Sequence, residues 1–271
     1  MAFMHNMDII SVEGLTKRFK ELVAVDSIFF NVRKREIFAF LGPNGAGKTT
    51  TIKMLITLLA PADGDAFING YSILRHPSEV RRNIGYVPQM ISVDGTLTVE
   101  ENLMLMARLY DVPSRERNER IRQMLAFLKL ENYGRSLVRT LSGGMIRKLE
   151  VGQAMLHHPH ILFLDEPTTG LDPVAKRNVW DHLLELRSTL DTTIFFSTHN
   201  LEEAEEVCDR VAIMDAGKIA AIGAVSELKE KTGRKEATLE DAFIFFTGSS
   251  IQGGGNFREI RRTRQTQQRL G

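Results

Sequence analysis

The chain has 271 residues, of which 43% are apolar and 25% are charged, as in soluble globular proteins with a sizeable core. Its 35 basic and 34 acidic side chains give a formal net charge of +1, which excludes a strong overall field that would attract nucleic acid. The single cysteine, Cys208, excludes an internal disulfide and a multi-cysteine zinc site and is typical of a reducing compartment.

The sequence carries no signal for a membrane or for secretion. No run approaches the roughly 20 apolar residues that a membrane-spanning helix needs. The start of the chain also lacks the basic and apolar regions of a secretory signal. We therefore expect no signal peptide, no transmembrane helix and a cytosolic location, so that another chain supplies any membrane span.

Strand and helix patterns alternate along the chain, which predicts an α/β protein. Apolar or β-branched runs predict strands over 9–13, 27–32, 37–41, 67–68, 161–164 and 193–197. A hairpin is predicted over 211–222, with its turn at 215–218. Helices carry start signals at Thr98, Ser114, Asp172 and Asn200. Helix patterns dominate from about 92 to 158, which indicates a helical subdomain inserted into a sheet-based core.

The composition changes after Thr247. A glycine- and serine-rich stretch there resembles a flexible linker, and the following segment has a charge of +4. The charged residues of this segment are Arg258, Glu259, Arg261, Arg262, Arg264 and Arg269. We predict a flexible basic tail, which is either solvated and disordered or a binding element.

A glycine-rich loop, G-P-N-G-A-G-K-T-T, follows the strand over 37–41 and precedes an apolar helix pattern over 52–59. It matches the pattern G-x-x-x-x-G-K-[ST] in its required strand–loop–helix setting. Backbone N–H groups of such a loop surround phosphate oxygens, while Lys48 reaches the β- and γ-phosphates and the Thr49 hydroxyl ligates Mg²⁺. The predicted ATP contacts in the loop are Gly42, Pro43, Asn44, Gly45, Ala46, Gly47, Lys48, Thr49 and Thr50. The alternative is a glycine turn that only links a strand to a helix.

The strand over 161–164 ends in two carboxylates, Asp165 and Glu166. Asp165 would lie at the carboxyl end of the strand near the bound Mg²⁺, and Glu166 would polarise the attacking water as a general base. A second acidic residue here is typical of ATPases and not of P-loop kinases. The alternative is a solvated strand end, which the four preceding apolar residues disfavour.

The segment Leu141-Ser142-Gly143-Gly144-Met145 lies between these two motifs. With it, the chain resembles the nucleotide-binding subunit of an ATP-binding-cassette (ABC) transporter. The resemblance implies an α/β P-loop NTPase core with a mixed sheet, an N-terminal antiparallel β portion and an inserted helical subdomain at about 92–158. It covers residues 8–231 as the ATPase domain and leaves 232–271 as a short C-terminal extension that includes the basic tail.

In that family the L-S-G-G-Q signature opens a helix that contacts the ATP held by the opposite subunit. The resemblance therefore assigns Ser142, Gly143, Gly144 and Met145 to ATP binding in trans, with Ser142 as the helix N-cap. Met145 departs from the usual glutamine and removes a side-chain hydrogen bond. The backbone donors of the two glycines do not depend on that residue, so we expect ATP binding to survive.

The other family motifs occur in order. Gln89 matches the Q-loop glutamine, which touches Mg²⁺ or the lytic water, and Asp172 matches the D-loop, which meets its twin across the dimer. His199 matches the switch histidine that contacts the γ-phosphate, and Phe19 the aromatic ring that stacks on adenine. The resemblance thus implies four catalytic residues: Lys48, Gln89, Glu166 and His199. It implies Mg²⁺ held by Thr49 and Gln89, with Asp165 in the second coordination sphere.

The resemblance implies a function. We expect an ATPase subunit that forms a homodimer or a heterodimer around ATP and Mg²⁺ and drives a separate transmembrane permease. It would lie at the cytoplasmic face of the membrane, bound through the permease, and no nucleic acid partner is expected. The signature L-S-G-G-M followed by Arg147, together with residues 239–243, resembles the drug- and antibiotic-resistance exporters of the ABC-2 type.

Three rival functions fit less well. Soluble ABC proteins of translation or DNA repair usually carry two cassettes, coiled coils or zinc sites, and importer ATPases often have a substantial C-terminal regulatory domain. A P-loop GTPase would need an N-K-x-D motif, which does not occur. The cluster of His157, His158 and His160 is interpreted as a solvated helix end in preference to a metal site.

Overall fold

The computed structural model describes residues 8–248. In this range ten strands form a four-stranded and a six-stranded sheet. The strands are β1 (Asp8–Phe19), β2 (Leu22–Arg33), β3 (Ile37–Leu41), β4 (Asp63–Ile68), β5 (Tyr71–Ser72), β6 (Ile84–Val87), β7 (Ile161–Asp165), β8 (Thr193–Thr198), β9 (Arg210–Asp215) and β10 (Lys218–Ala224). The α-helices are α1 (Lys48–Leu55), α2 (Pro77–Asn83), α3 (Val99–Leu109), α4 (Ser114–Leu128), α5 (Gly143–Met155), α6 (Pro173–Leu190), α7 (Leu201–Val207), α8 (Val225–Glu230) and α9 (Leu239–Thr247).

The smaller sheet is antiparallel, with strand order β2-β1-β4-β5. Its first hairpin turns where Phe19 pairs with Leu22. The strands predicted over 9–13 and 27–32 are confirmed, but β1 and β2 are both longer than predicted. The apolar runs mark only the buried part of each strand, whereas polar residues such as Lys17 and Arg18 continue the ladder toward the turn because the neighbouring strand supplies hydrogen bonds.

The larger sheet has the order β10-β9-β3-β8-β7-β6. Five of its strands run parallel, and β10 forms the predicted hairpin with β9. Every residue of β3, β7 and β8 is buried, as expected for parallel strands that are covered on both faces. The two sheets and the inserted helices confirm the mixed α/β architecture that the resemblance implied.

Alternate residues of these strands pack into two separate clusters, because successive side chains of a strand point to opposite faces. One cluster contains a group of phenylalanine rings that lies between the two sheets, and the other joins the sheet to the helices. The first includes Phe30, Phe38, Phe40, Phe163 and Phe195. The second includes Ile37, Leu41, Leu162, Leu164 and Phe196.

Helices α3, α4 and α5 contact one another between β6 and β7 in the chain. Helix α3 begins with the predicted capping box, in which Thr98 accepts from the backbone N–H of Glu101 and the Glu101 carboxylate accepts in return. Helix α4 buries the predicted apolar face, made up of Ile121, Met124, Leu125 and Leu128. Within residues 8–248, no helix is long and apolar enough to span a membrane.

Helix α1 differs from its prediction over 52–59. It begins four residues earlier, at Lys48, and ends at Leu55. The early start follows from Gly47, whose φ of 106° ends the loop in a conformation that L-residues rarely adopt, so that the helix starts on the next residue. Thr57, with a φ of 64°, lies in the left-handed region and stops the helix from continuing.

The described part of the C-terminal extension packs on the core. Helix α9 begins at a capping box formed by Thr238 and Asp241, and its residues Leu239, Ala242 and Phe243 are buried in the cluster that joins the sheet to the helices. The boundary at residue 231 stays a prediction. The basic tail falls on residues 249–271, which lie outside the described residues.

The interpretation of the histidine cluster as a solvated helix end is wrong for His157. Its Nε2 lies 3.0 Å from the Ile84 carbonyl oxygen, and its ring stacks on Tyr110 with centroids 3.8 Å apart. Burial lowers the pKa of His157 to about 4. The sequence pattern missed this because the residues that cover the ring lie far away in the chain.

We predict that His157 makes the protein sensitive to acid. Its folded pKa is below its unfolded value, so the unfolded chain binds the extra proton as pH falls through about 6.5, and stability is lost. Urea unfolding at pH 7 and pH 5 should show wild type losing about 1–2 kcal/mol more than His157→Gln over this interval. The control is His160→Gln, which replaces an exposed histidine nearby and should behave as wild type. An equal loss in His157→Gln would contradict the prediction.

Candidate nucleotide-binding site

The glycine-rich loop 42–50 connects the buried end of β3 to the start of α1. A Cβ at Gly47 would lie 2.6 Å from the carbonyl oxygen of Ala24, so the close approach of β2 leaves no room for a side chain. The Lys48 side chain is only 5% exposed and its Nζ donates to the carbonyl oxygens of Gly42, at 2.7 Å, and Pro43, at 3.1 Å. The loop therefore holds a buried cation at the N-terminus of a helix, which is an arrangement that binds anions.

Lys48 is buried but lies near two carboxylates. Burial lowers its pKa, while the charges of Glu166 and Asp165 act in the opposite direction. Its Nζ lies 3.7 Å from Glu166 Oε1. This geometry keeps a cation and an anion side by side in a region from which water is largely excluded.

Asp165 is the last residue of β7 and is held by hydroxyl groups on two sides. Thr49 Oγ1 donates to its Oδ1 at 2.9 Å, and Ser197 Oγ donates to the same oxygen at 2.6 Å. The contact with Thr49 connects the start of α1 to the carboxyl end of β7. The hydroxyl and the carboxylate together offer oxygen atoms of the kind that Mg²⁺ prefers.

The Glu166 carboxylate is 7% exposed and three polar side chains approach its Oε2. Gln89 Nε2 donates to it at 3.2 Å, Thr169 Oγ1 donates at 3.1 Å, and His199 Nδ1 lies at 3.2 Å. Glu166 itself has a φ of 48°, which is unusual for a residue other than glycine and is typical of strained functional positions. Its backbone N–H donates to the carbonyl and hydroxyl oxygens of Ser197, which stabilise this conformation.

The structure thus brings together five of the residues for which the motifs implied phosphate, metal or water contacts. They come from the loops after β3, β6, β7 and β8, because the carboxyl ends of parallel strands meet at the same edge of a sheet. These residues are Lys48, Gln89, Asp165, Glu166 and His199. His199 is exposed, with 44% of its side chain accessible to solvent.

The signature residues lie apart from this group. Ser142 is the N-cap of α5 and its Oγ accepts from the backbone N–H of Met145 at 3.3 Å, as the sequence predicted for the cap. Ser142 and Gly143 are exposed, and no hydrogen bond within residues 8–248 joins them to the loop 42–50. The Met145 side chain packs against the core cluster that joins sheet and helices.

The D-loop lies beside the signature in the same chain. A Cβ at Gly143 would lie 3.4 Å from Leu171, and one at Gly144 would lie 3.1 Å from Ala175. Asp172 caps α6, accepting from the backbone N–H groups of Val174 and Ala175 at 3.0 Å. The exposed start of α5 and the D-loop therefore form one continuous surface.

Phe19 lies at the end of β1 and its side chain is exposed, so that one ring face is available to a planar partner. The Lys17 ammonium lies 5.3 Å from the ring centroid. A cation at this distance interacts favourably with an aromatic ring. Phe19 contacts none of the phosphate-loop residues through a hydrogen bond or ring contact in the described part of the chain.

Two residues of the site were missed by the sequence analysis. Ser197 contacts both Asp165 and the backbone of Glu166, as described above. Glu203 accepts from Thr168 Oγ1 at 2.5 Å, from Trp180 Nε1 at 2.7 Å and from Thr198 Oγ1 at 2.6 Å. The available signals were a serine near the carboxyl end of β8 and an acidic residue four positions after His199, and neither was distinctive without the fold.

Comparison with known proteins gives a consistent result. The chain matches the family model described as "ABC transporter" over residues 25–169. It is 42% identical over 220 residues to Nod factor export ATP-binding protein I of Ralstonia nicotianae, covering 81% of this chain and 68% of that protein. It is 39% identical to daunorubicin resistance ATP-binding protein DrrA3 of Streptomyces coeruleorubidus, covering 86% and 74%.

Solved structures agree. A structure described as the ATP binding subunit of an ABC transporter superposes with a TM-score of 0.79 at 32% identity, covering 88% of this chain and 99% of that one. The glycine-rich loop 42–50 and the carboxylates near Lys48 therefore occur in a chain whose sequence and fold both match one family. The chain belongs to the ABC transporter family and is a nucleotide-binding ATPase.

Proposed function

We propose that this chain is the ATP-hydrolysing subunit of an ABC-2 type exporter and that it drives a separate membrane permease by ATP-dependent dimerisation. The observation that carries the proposal is the division of phosphate-binding groups within one chain. Lys48 and the loop form one half of a site, whereas the exposed start of α5 at Ser142 has no phosphate-binding partner in its own described chain. A second subunit would complete both halves.

The residues present fit ATP and Mg²⁺. The loop would supply backbone N–H groups and Lys48 for the phosphates, and the exposed Phe19 ring would stack on adenine. Thr49 and Gln89 would hold Mg²⁺, with Asp165 behind Thr49 at hydrogen-bond distance. When bound, Mg²⁺ would neutralise part of the negative charge on the phosphates.

We assign the proton transfer of hydrolysis to Glu166. Its carboxylate would accept a proton from the attacking water as the bond from water oxygen to the γ-phosphorus forms and the bond to the ADP oxygen breaks. Gln89 and His199 both approach Glu166 Oε2 at 3.2 Å, so they would orient the carboxylate and the γ-phosphate end of the substrate. Lys48 would stabilise the charge on the transferred phosphoryl group.

The exposed start of α5 would bind the γ-phosphate held by the opposite subunit. Ser142 already leaves the N–H groups of Gly143 and Gly144 at an open helix N-terminus. Loss of the γ-phosphate on hydrolysis would remove this contact and let the dimer reopen. Asp172, beside the signature, would meet its twin across the same interface. The partner is a second copy or a second ATPase subunit.

Relatives support the direction of transport. The two similar proteins described above are named for export of Nod factor and for daunorubicin resistance, and this chain carries the L-S-G-G-M signature and the helix α9 that resemble exporters. We infer that the chain binds a permease at the cytoplasmic face of the membrane. The permease would select the transported molecule.

Co-expression tests the transporter assignment. When it is co-expressed with its multi-span permease, the chain should sediment with membranes and its ATPase activity should change on addition of the transported compound. The Glu166→Gln variant should sediment equally well but support no transport, since binding to the permease does not need hydrolysis. A chain that stays in the soluble fraction with every neighbouring membrane protein would contradict the proposal.

The role of Glu166 predicts a specific kinetic defect. Glu166→Gln should reduce turnover about 10²–10⁴-fold while ATP still binds, because only the proton acceptor is lost. The variant should also accumulate an ATP-bound dimer, measurable by size-exclusion chromatography with light scattering. Glu202→Gln, an exposed carboxylate on α7, is the control and should keep wild-type turnover. Near-normal turnover in Glu166→Gln would remove it from this role.

The trans assignment predicts different defects for two variants. Lys48→Ala should weaken ATP binding by the monomer, whereas Ser142→Arg should leave monomer binding intact and block dimer closure by occupying the interface. A mixed dimer of the two variants retains one intact composite site and should recover part of the activity. If Ser142→Arg abolished nucleotide binding by the monomer, the signature would act in cis.

A further inference from the structure

Two buried charged residues of helix α5 hold the segment that carries Gln89. Arg147 Nη1 donates to the Pro88 carbonyl oxygen at 2.8 Å, and its Nη2 donates to the Gln89 carbonyl oxygen at 3.1 Å. The Arg147 side chain is only 6% exposed. The guanidinium therefore contacts the peptide groups on both sides of the Gln89 Cα atom.

Glu150 contacts the far end of the same segment. Its Oε1 accepts from the backbone N–H of Ser92 at 2.6 Å and from Ser92 Oγ at 2.9 Å, and its Oε2 lies 2.9 Å from Arg147 Nη1. The Glu150 side chain is 1% exposed. Between the two contacts, Met90 and Ile91 point to solvent, with 82% and 64% exposure. One ion pair thus holds both ends of a bend.

The segment has little other support. Residues 89–92 belong to no helix or strand, and in the described part of the chain none of them takes part in a backbone–backbone hydrogen bond. Their position therefore depends on side chains. Gln89 Nε2, in turn, donates to Glu166 Oε2 at 3.2 Å, so whatever positions the segment also positions this contact.

Stability alone does not explain the pair. Removing two charges from water is unfavourable, and apolar residues of similar size at such a position are often as stabilising. This buried pair makes hydrogen bonds to four backbone and hydroxyl groups of residues 88–92, and these bonds fix the position of the segment. Apolar side chains of the same volume would not make such directional contacts.

We propose that Arg147 and Glu150 are positioning residues for ATP hydrolysis, which place Gln89 beside Glu166 and connect that placement to the start of α5. The inference rests on the roles proposed above for Gln89, Glu166 and Ser142. Because Ser142 caps the helix that carries Arg147 and Glu150, a movement of α5 on binding the partner's nucleotide is passed to Gln89 of its own site. The pair thereby couples the two ATP sites of a dimer.

Arg147→Met tests the proposal. We expect kcat to fall about 10–100-fold, since a small misplacement of an orienting group has effects of this size. The KM for ATP should change less than about twofold, because the loop 42–50 is untouched. Arg147→Lys, which keeps one donor, should recover part of the activity. The control is Arg117→Met, which removes an arginine–carbonyl bond to Val112 O from helix α4 without touching the segment.

A double-mutant cycle separates positioning from general destabilisation. If Arg147 acts through Gln89, adding Arg147→Met to a Gln89→Ala variant should lower kcat by less than about twofold. An equally large additional fall, or an equal fall in Arg117→Met, would overturn the proposal. Glu150→Gln and Ser92→Ala, which nearly conserve volume, provide the same comparison if Arg147→Met does not fold. The assay uses the isolated chain, so its result does not depend on whether the transporter assignment is correct.

Discussion

The complete burial of three parallel strands organises this protein. Each residue of β3, β7 and β8 is covered, so a polar side chain within them would lose its hydrogen bonds to water without replacement. Polar groups are therefore confined to the strand ends, where the loops begin. Since the strands run in the same direction, their carboxyl ends lie along one edge, and the groups of the candidate nucleotide site are collected there.

The same burial explains why the site groups have so many polar neighbours. Lys48, Asp165 and Glu166 are all nearly inaccessible, and charges in such surroundings are stable only when they are paired and hydrogen-bonded. Thr49 and Ser197 satisfy Asp165, and Lys48 lies beside Glu166. A network of this kind has few alternative arrangements, which holds the groups of the candidate site in place without a ligand.

Glu203 extends this network away from the nucleotide. It connects the segment after Glu166, through Thr168, to the segment before His199, through Thr198. Its third partner is the Trp180 ring nitrogen on α6. Two loops from neighbouring strands therefore share one carboxylate, and a shift of one loop must be accompanied by a shift of the other.

The sequence alone supported the fold and the components of the site wherever the relevant residues are neighbours in the chain. The loop 42–50, the strand that ends at Asp165 and the cap at Ser142 are local patterns, and the structure contains each of them. Local patterns could not identify Ser197 or Glu203, because these act through contacts with residues more than 20 positions away. The predicted start of α1 was wrong because the backbone conformation of Gly47 sets where the helix begins. Hydrophobic periodicity does not detect a single backbone angle.

Helix α5 connects the exposed Ser142 cap to the segment that carries Gln89. Its first residues face outward, and the start of the helix is stabilised by the Ser142 cap. Met145 can replace the family's glutamine there because the cap uses only its backbone N–H, which donates to Ser142 Oγ. The Met145 side chain instead packs against the core, which anchors the start of the helix. One to two turns later, Arg147 and Glu150 face inward to the segment of Gln89. In the proposed coupling, this helix would carry a displacement from its outward end to its inward face, because its backbone hydrogen bonds do not stretch appreciably.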